Sequence, residues 1–81
     1  MHMDQELKEL LVERLFLDID PGDIDSETDL AEYGIDSFLL LELIVAIEEM
    51  FDVRFQQSDI TSETLRSIAT LRQLVESKKN G

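Results

Sequence analysis

Nine of the ten residues from Phe38 to Ile47 are apolar, and Glu42 is the single exception. This run reads as the middle of a helix covering about Ser37 to Phe51. It is too short to span a bilayer, which takes about 20 apolar residues, and Glu48 and Glu49 close it. A surface helix on a small domain normally carries one apolar stripe and one polar face; this one is apolar almost all round. At about 100° per residue, Leu40, Leu43, Ile44, Ile47, Met50 and Phe51 share one arc and are expected to face a core. Phe38, Leu41 and Val45 fall on the opposite side, among Glu42, Glu48, Glu49 and Asp52. Four carboxylates are not buried together without partners, so this second side should be wet. An apolar strip with a charged rim is how a partner-binding surface is built. For Phe38 the competing expectation is cover by the long connection that precedes the helix.

The rest of the chain supplies helices to pack against that run. A first helix is expected from about Gln5 to Leu17, with Asp4 as N-cap and Leu7, Leu10, Leu11 and Leu15 as its core stripe. Asp20-Pro21-Gly22-Asp23 makes a turn. Residues 18–36 form a long connection with Ile24 and Leu30 as apolar anchors. After the central helix comes a short turn of helix, about Ser62 to Arg66, which Thr61 can cap. Ser67 can cap a last helix, about Ile68 to Ser77, with Ile68, Leu71, Leu74 and Val75 facing inwards. Lys78 and Lys79 suit the negative end of its dipole. The expected architecture is all-α: one domain over residues 1–81, a small four-helix bundle of three longer helices and one short one. Residues 1–3 are expected to be disordered or partly an expression remnant, and residues 80–81 a tail.

The 81 residues carry a net charge of −12, unevenly spread. Residues 15–53 hold twelve acids and no Lys or Arg, whereas the remainder holds seven of each sign. Such a field repels nucleic acid and anionic membrane and favours basic protein surfaces. There is no cysteine, so disulfides and thiolate chemistry are excluded. The acids between Asp18 and Asp29 invite a calcium reading, but the glycine required at the sixth loop position is present in neither register, from Asp18 or from Asp25. No metal site is expected.

Asp36 and Ser37 open the central helix, and either can cap it. Gly34 before them allows a turn that pushes the helix start outwards. The segment Tyr33-Gly34-Ile35-Asp36-Ser37-Phe38, followed by Glu42-Leu43 and then Glu48-Glu49-x-Phe51-Asp52, resembles the acyl carrier protein family. The resemblance extends over nearly the whole chain. It implies 4′-phosphopantetheine attached to Ser37 by a phosphopantetheinyl transferase, with acyl groups carried on the arm as thioesters. It implies that Asp36 helps the transferase engage, and that Phe38, Leu41, Glu42, Val45, Glu48 and Glu49 meet acyl-processing enzymes with basic surfaces. It further implies an acyl chain sheltered in the core, with Leu43, Ile47, Phe51 and the inner stripe of the last helix as lining. Two positions depart from the common pattern: Leu39 stands where an acid is usual, and Phe38 where Leu is usual. The face is thus more apolar than in housekeeping carriers of fatty acid synthesis, and a specialised lipid or polyketide carrier fits equally.

Other readings compete. Ser37 as a catalytic nucleophile would need a base within reach, and the sole histidine, His2, stands at the chain start; no enzymatic activity is expected. Aminoacyl carriers of the D-alanyl or peptidyl type share the fold and the serine. An unmodified acidic interaction module would use the same helix face and leave Ser37 as a cap. The expected molecule is a cytoplasmic monomer that neither inserts in membranes nor binds nucleic acid.

Overall fold

The computed structural model describes residues 3–80. Three helices carry the architecture: α1 (Met3–Leu15), α2 (Ser37–Phe51) and α3 (Ile68–Asn80). Short 3₁₀ turns at Pro21–Asp23, Leu30–Tyr33 and Gln57–Asp59 interrupt the connections, and no strand occurs among the described residues. α1 packs against both α2 and α3. Leu7, Leu10, Leu11 and Leu15 are all buried, as their spacing requires.

α1 differs from expectation at both ends. It includes Met3, so Asp4 lies within the first turn and is not the N-cap. The Asp4 carboxylate accepts a hydrogen bond from Ser26 Oγ at 2.8 Å and lies 3.4 Å from the Arg72 guanidinium, tying α1 to the long connection and to α3. The helix stops at Leu15 because Phe16 adopts φ 54°, which turns the chain so that Leu17 N donates to Val12 O at 3.1 Å. This is a Schellman-type ending with phenylalanine where glycine is usual.

The connection from 18 to 36 is pinned rather than loose. Ile24 and Leu30 are buried, as expected, and Ile35 joins them. Asp20 Oδ1 accepts from Gly22 N at 2.9 Å, and the Tyr33 hydroxyl accepts from Asp25 N at 2.8 Å. Leu30 N donates to Arg66 O at 2.7 Å and Ala69 N to Ser26 O at 2.9 Å, which seats the connection on the start of α3.

The short fourth helix is not formed: residues 62–65 make one turn, closed by Leu65 N donating to Thr61 O at 3.1 Å. Thr61 and Thr64 cap this turn reciprocally, each side-chain oxygen accepting the other's N–H at 3.1 Å. It cannot extend, because Ser67 already caps α3. Ser67 N donates to Thr70 Oγ1 at 2.9 Å and Thr70 N to Ser67 Oγ at 3.4 Å. A single turn fixes many dihedrals for one hydrogen bond and stands only where tertiary contacts hold it.

α3 buries Ile68, Leu71, Leu74 and Val75 as expected, but runs on to Asn80, so residue 80 belongs to the helix and not to a tail. Met3 likewise is helical and half-buried against the core. Met1, His2 and Gly81 lie outside the described residues. The α2 core arc is narrower than expected: Leu43, Ile44, Ala46, Ile47 and Phe51 are buried, Leu40 is half-buried, and Met50 is exposed. Met50 stands at the edge of the arc, on a groove with Leu10, Glu13 and Arg14, so α1 covers only part of it.

Candidate functional site at the start of α2

Three consecutive residues bring Ser37 to the surface. Gly34 closes the Leu30–Tyr33 turn at φ 80°, its N–H donating to Ala31 O at 3.0 Å. No atom lies within 4 Å of where a Cβ would stand, so the constraint there is the left-handed backbone and not space. Ile35 then anchors in the core. Asp36 is the N-cap: its Oδ1 accepts from Leu39 N at 2.9 Å, and its carbonyl accepts from Leu40 N at 3.0 Å. Ser37 is therefore the first helical residue, exposed, with its hydroxyl outside the cap.

Ser37 lines a groove of about 380 Å³. One wall is α2 and the 29–35 turn, with Leu30, Ile35 and Leu40; the other is the 60–66 segment, with Ile60, Leu65 and Arg66. This differs from the expected lining. Leu43, Ile47 and Phe51 are packed in the core, and the open apolar space lies nearer Ser37. Ile60 and Leu65, isolated apolar residues in a polar stretch, were the available sequence signal for this wall.

The other side of α2 presents the expected strip. Phe38 is 68% exposed, Leu41 53% and Val45 55%, so the long connection does not cover them. Glu42 and Glu49 are exposed beside them. Glu49 lies 3.7 Å from the Arg14 guanidinium, a distance and exposure at which an ion pair contributes little. Glu48 is different: it is half-buried, and its carboxylate accepts from Phe55 N at 2.8 Å. It braces the chain leaving α2 rather than standing wholly on the rim. The acids between Asp18 and Asp29 do not gather: no group of three or more metal-ligating side chains converges among the described residues. No helix among them is long and apolar enough to cross a membrane.

The family model described as "Phosphopantetheine attachment site" matches residues 5–74. An acyl carrier protein of Campylobacter lari is 36% identical over 59 residues, covering 73% of this chain and 75% of that one. The chain belongs to the acyl carrier protein family. Its prosthetic group is accordingly phosphopantetheine. An acyl carrier protein of Bdellovibrio bacteriovorus is 29% identical over 79 residues, 96% of each chain. Aminoacyl carrier protein 1 of Bradyrhizobium diazoefficiens is 32% identical over 54 residues, covering 67% of this chain; the match spans only 60% of that relative's length. The solution structure of a holo acyl carrier protein from Nitrosomonas europaea superposes with a TM-score of 0.85 over the full length of both chains, at 23% identity, which speaks for the fold. A carrier protein from Agrobacterium tumefaciens, solved with an engineered Bradyrhizobium japonicum glycine:[carrier protein] ligase and ATP, superposes at 0.83 with 29% identity, over 94% of this chain and 99% of the other. That carrier is thus seen with a partner enzyme bound.

The residues at the start of α2 fit the group. A primary hydroxyl stands exposed, uncommitted to the helix cap, on a corner that a modifying enzyme can approach, beside an apolar groove.

Proposed function

We propose that Ser37 is the attachment site and that this carrier presents acyl groups to enzymes of fatty acid, lipid or polyketide-type biosynthesis. The observation that carries the reading is the division of labour at the helix start: Asp36 caps α2 while the adjoining Ser37 hydroxyl stays exposed. When bound, the arm supplies a terminal thiol as the acceptor for acyl groups. The chain's own part is tethering and presentation, which raises the effective concentration of cargo at a docked enzyme. Catalysis belongs to those partners.

In this reading Phe38, Leu41 and Val45 form the apolar centre of the docking face, and Glu42 and Glu49 its acidic rim. Glu48 contributes charge at the edge while holding Phe55 in place. Asp36 serves the modifying enzyme both as a nearby acid and by keeping Ser37 in the first turn. The net charge of −12 selects partners with basic surfaces, a phosphopantetheinyl transferase among them. The carrier acts as a cytoplasmic monomer. The similarity to an aminoacyl carrier and to a carrier bound by a glycine-loading ligase favours one second reading, in which the cargo is an amino acid.

The test is intact-protein mass spectrometry after incubation with coenzyme A, magnesium and a promiscuous phosphopantetheinyl transferase. A gain of one phosphopantetheine, absent in Ser37→Ala, is the expected result. No gain in folded protein, or an equal gain in the variant, would overturn the assignment. Offering the modified chain to an acyl-loading and to a glycine-loading ligase then separates the two cargo classes.

A further inference from the structure

Arg66 and Ser37 line the same groove. The surroundings of Arg66 give it a fixed root and a loose tip. Its neighbours Leu65 and Ser67 are both buried, and its own carbonyl accepts the Leu30 N–H at 2.7 Å, so the backbone there is held from three directions. The side chain, by contrast, is 55% exposed, and its ion pair is Nε to Asp29 Oδ1 at 3.7 Å, beyond hydrogen-bond length. A pair that long and that exposed holds its members weakly. Compare Lys78 on Asp59, at 2.6 Å and mostly covered.

Arg66 is also the only cation among the residues lining this groove. The acidic half of the chain, residues 15–53, offers no Lys or Arg, and Ser37 stands inside it next to Asp36. A phosphodiester on Ser37 Oγ would therefore enter a negative field with one cationic side chain on its groove. Guanidinium is the side chain whose planar donors match phosphate oxygens. Leu40, on the groove, and Phe38, on the docking face, lie on well-separated sides of α2.

We propose that Arg66 is a positioning residue for the prosthetic arm. Its guanidinium exchanges Asp29 for the phosphate on Ser37 and draws the arm along the Ile60–Leu65 wall, away from Phe38, Leu41 and Val45. The docking face then stays open to partners while the cargo rests on the groove. This rests on the assignment of Ser37 above.

The test uses ¹⁵N-labelled full-length chain, before and after modification, with intact mass recorded on the same samples. A mass gain with a shift of the Arg66 Nε–H signal, and with contacts from the arm's gem-dimethyl protons to Ile60 and Leu65, is the expected result. Those contacts should be lost in holo Arg66→Gln and partly kept in Arg66→Lys, with a ³¹P shift change in the former. A mass gain with the wild-type Nε–H signal unmoved overturns the role of Arg66 and leaves Ser37 standing. No mass gain at Ser37 removes both. The wild-type signal needs no variant, so a poorly folded Arg66→Gln would not blur the outcome.

Discussion

Asp36 accepts the Leu39 N–H and so relieves Ser37 of any part in the cap. The two residues should therefore respond oppositely to truncation. Asp36→Ala should cost about 1 kcal/mol, the usual value of an N-cap, read as a lower denaturant midpoint. Ser37→Ala should stay within about 0.5 kcal/mol of the parent while losing all modification. A Ser37→Ala variant that loses as much stability as Asp36→Ala would show that the hydroxyl is structural after all. The C-terminal end of α1 holds a different kind of residue. Phe16 sits at φ 54° and is 92% exposed, so it bears left-handed backbone strain with little burial in return. Phe16→Gly should stabilise the chain by about 1 kcal/mol, since glycine adopts that conformation without steric cost. An unchanged or lowered midpoint would mean that the ring packs on its neighbours more than its exposure implies.

At the scale of elements, α2 separates stability from recognition by face. Leu43, Ile44 and Ile47 are buried and Leu41 and Val45 are not, so substitutions on the two sides should have different readouts. Leu41→Arg should leave the denaturant midpoint within about 0.5 kcal/mol and weaken association with a partner enzyme by about 1–2 kcal/mol, as expected for an apolar contact within an interface. Glu42→Lys should chiefly slow association and flatten its salt dependence. Glu48→Ala should instead destabilise by about 1 kcal/mol, because it strips an acceptor from the half-buried Phe55 N–H. Surface plasmon resonance beside urea titration checks all three; a stability loss in Leu41→Arg would show that this side is packed. Most of this was legible in the sequence. The apolar periodicity of α2 and α3 marks their inner stripes, and the acids among Phe38, Leu41 and Val45 mark the wet side. What the sequence did not show leaves no periodic signal or runs against a local rule. Ile35 gives no periodic signal in a loop. A phenylalanine ending α1 runs against the glycine rule. The fourth helix collapsed to a turn because Ser67 and Thr70 claim the next residues for α3. Glu48 looked like a rim acid because its partner, Phe55 N–H, lies beyond the end of the helix.

At the scale of the whole molecule, the lysines near the end of α3 do more than face their own helix dipole. Lys79 Nζ donates to Phe51 O at 3.1 Å, closing the C-terminal end of α2, and Lys78 Nζ meets Asp59 Oδ2 at 2.6 Å. That second contact ties α3 to the segment that continues into the Ile60–Leu65 wall of the groove. The tie has a pH signature. The hydrogen bond from Lys78 lowers the Asp59 carboxyl below its ordinary value, the Gln56 N–H adds to this, desolvation opposes it, and the Lys78 charge lowers it further. Because the folded-state value is the depressed one, the contribution is fully present above the ordinary aspartate range and is lost as pH falls through the lowered value. Lys78→Met should therefore be less stable than the parent at neutral pH by an amount that stays constant down to the ordinary aspartate range. The difference should then shrink on further acidification and vanish once Asp59 is protonated in the folded parent. Hydrogen exchange at residues 57–65 should rise in the variant at neutral pH and match the parent in strong acid, with exchange in α1 following only the global stability. A stability difference that persists undiminished in strong acid would mean that the lysine stem holds the wall by packing and that the charge pair contributes nothing to it.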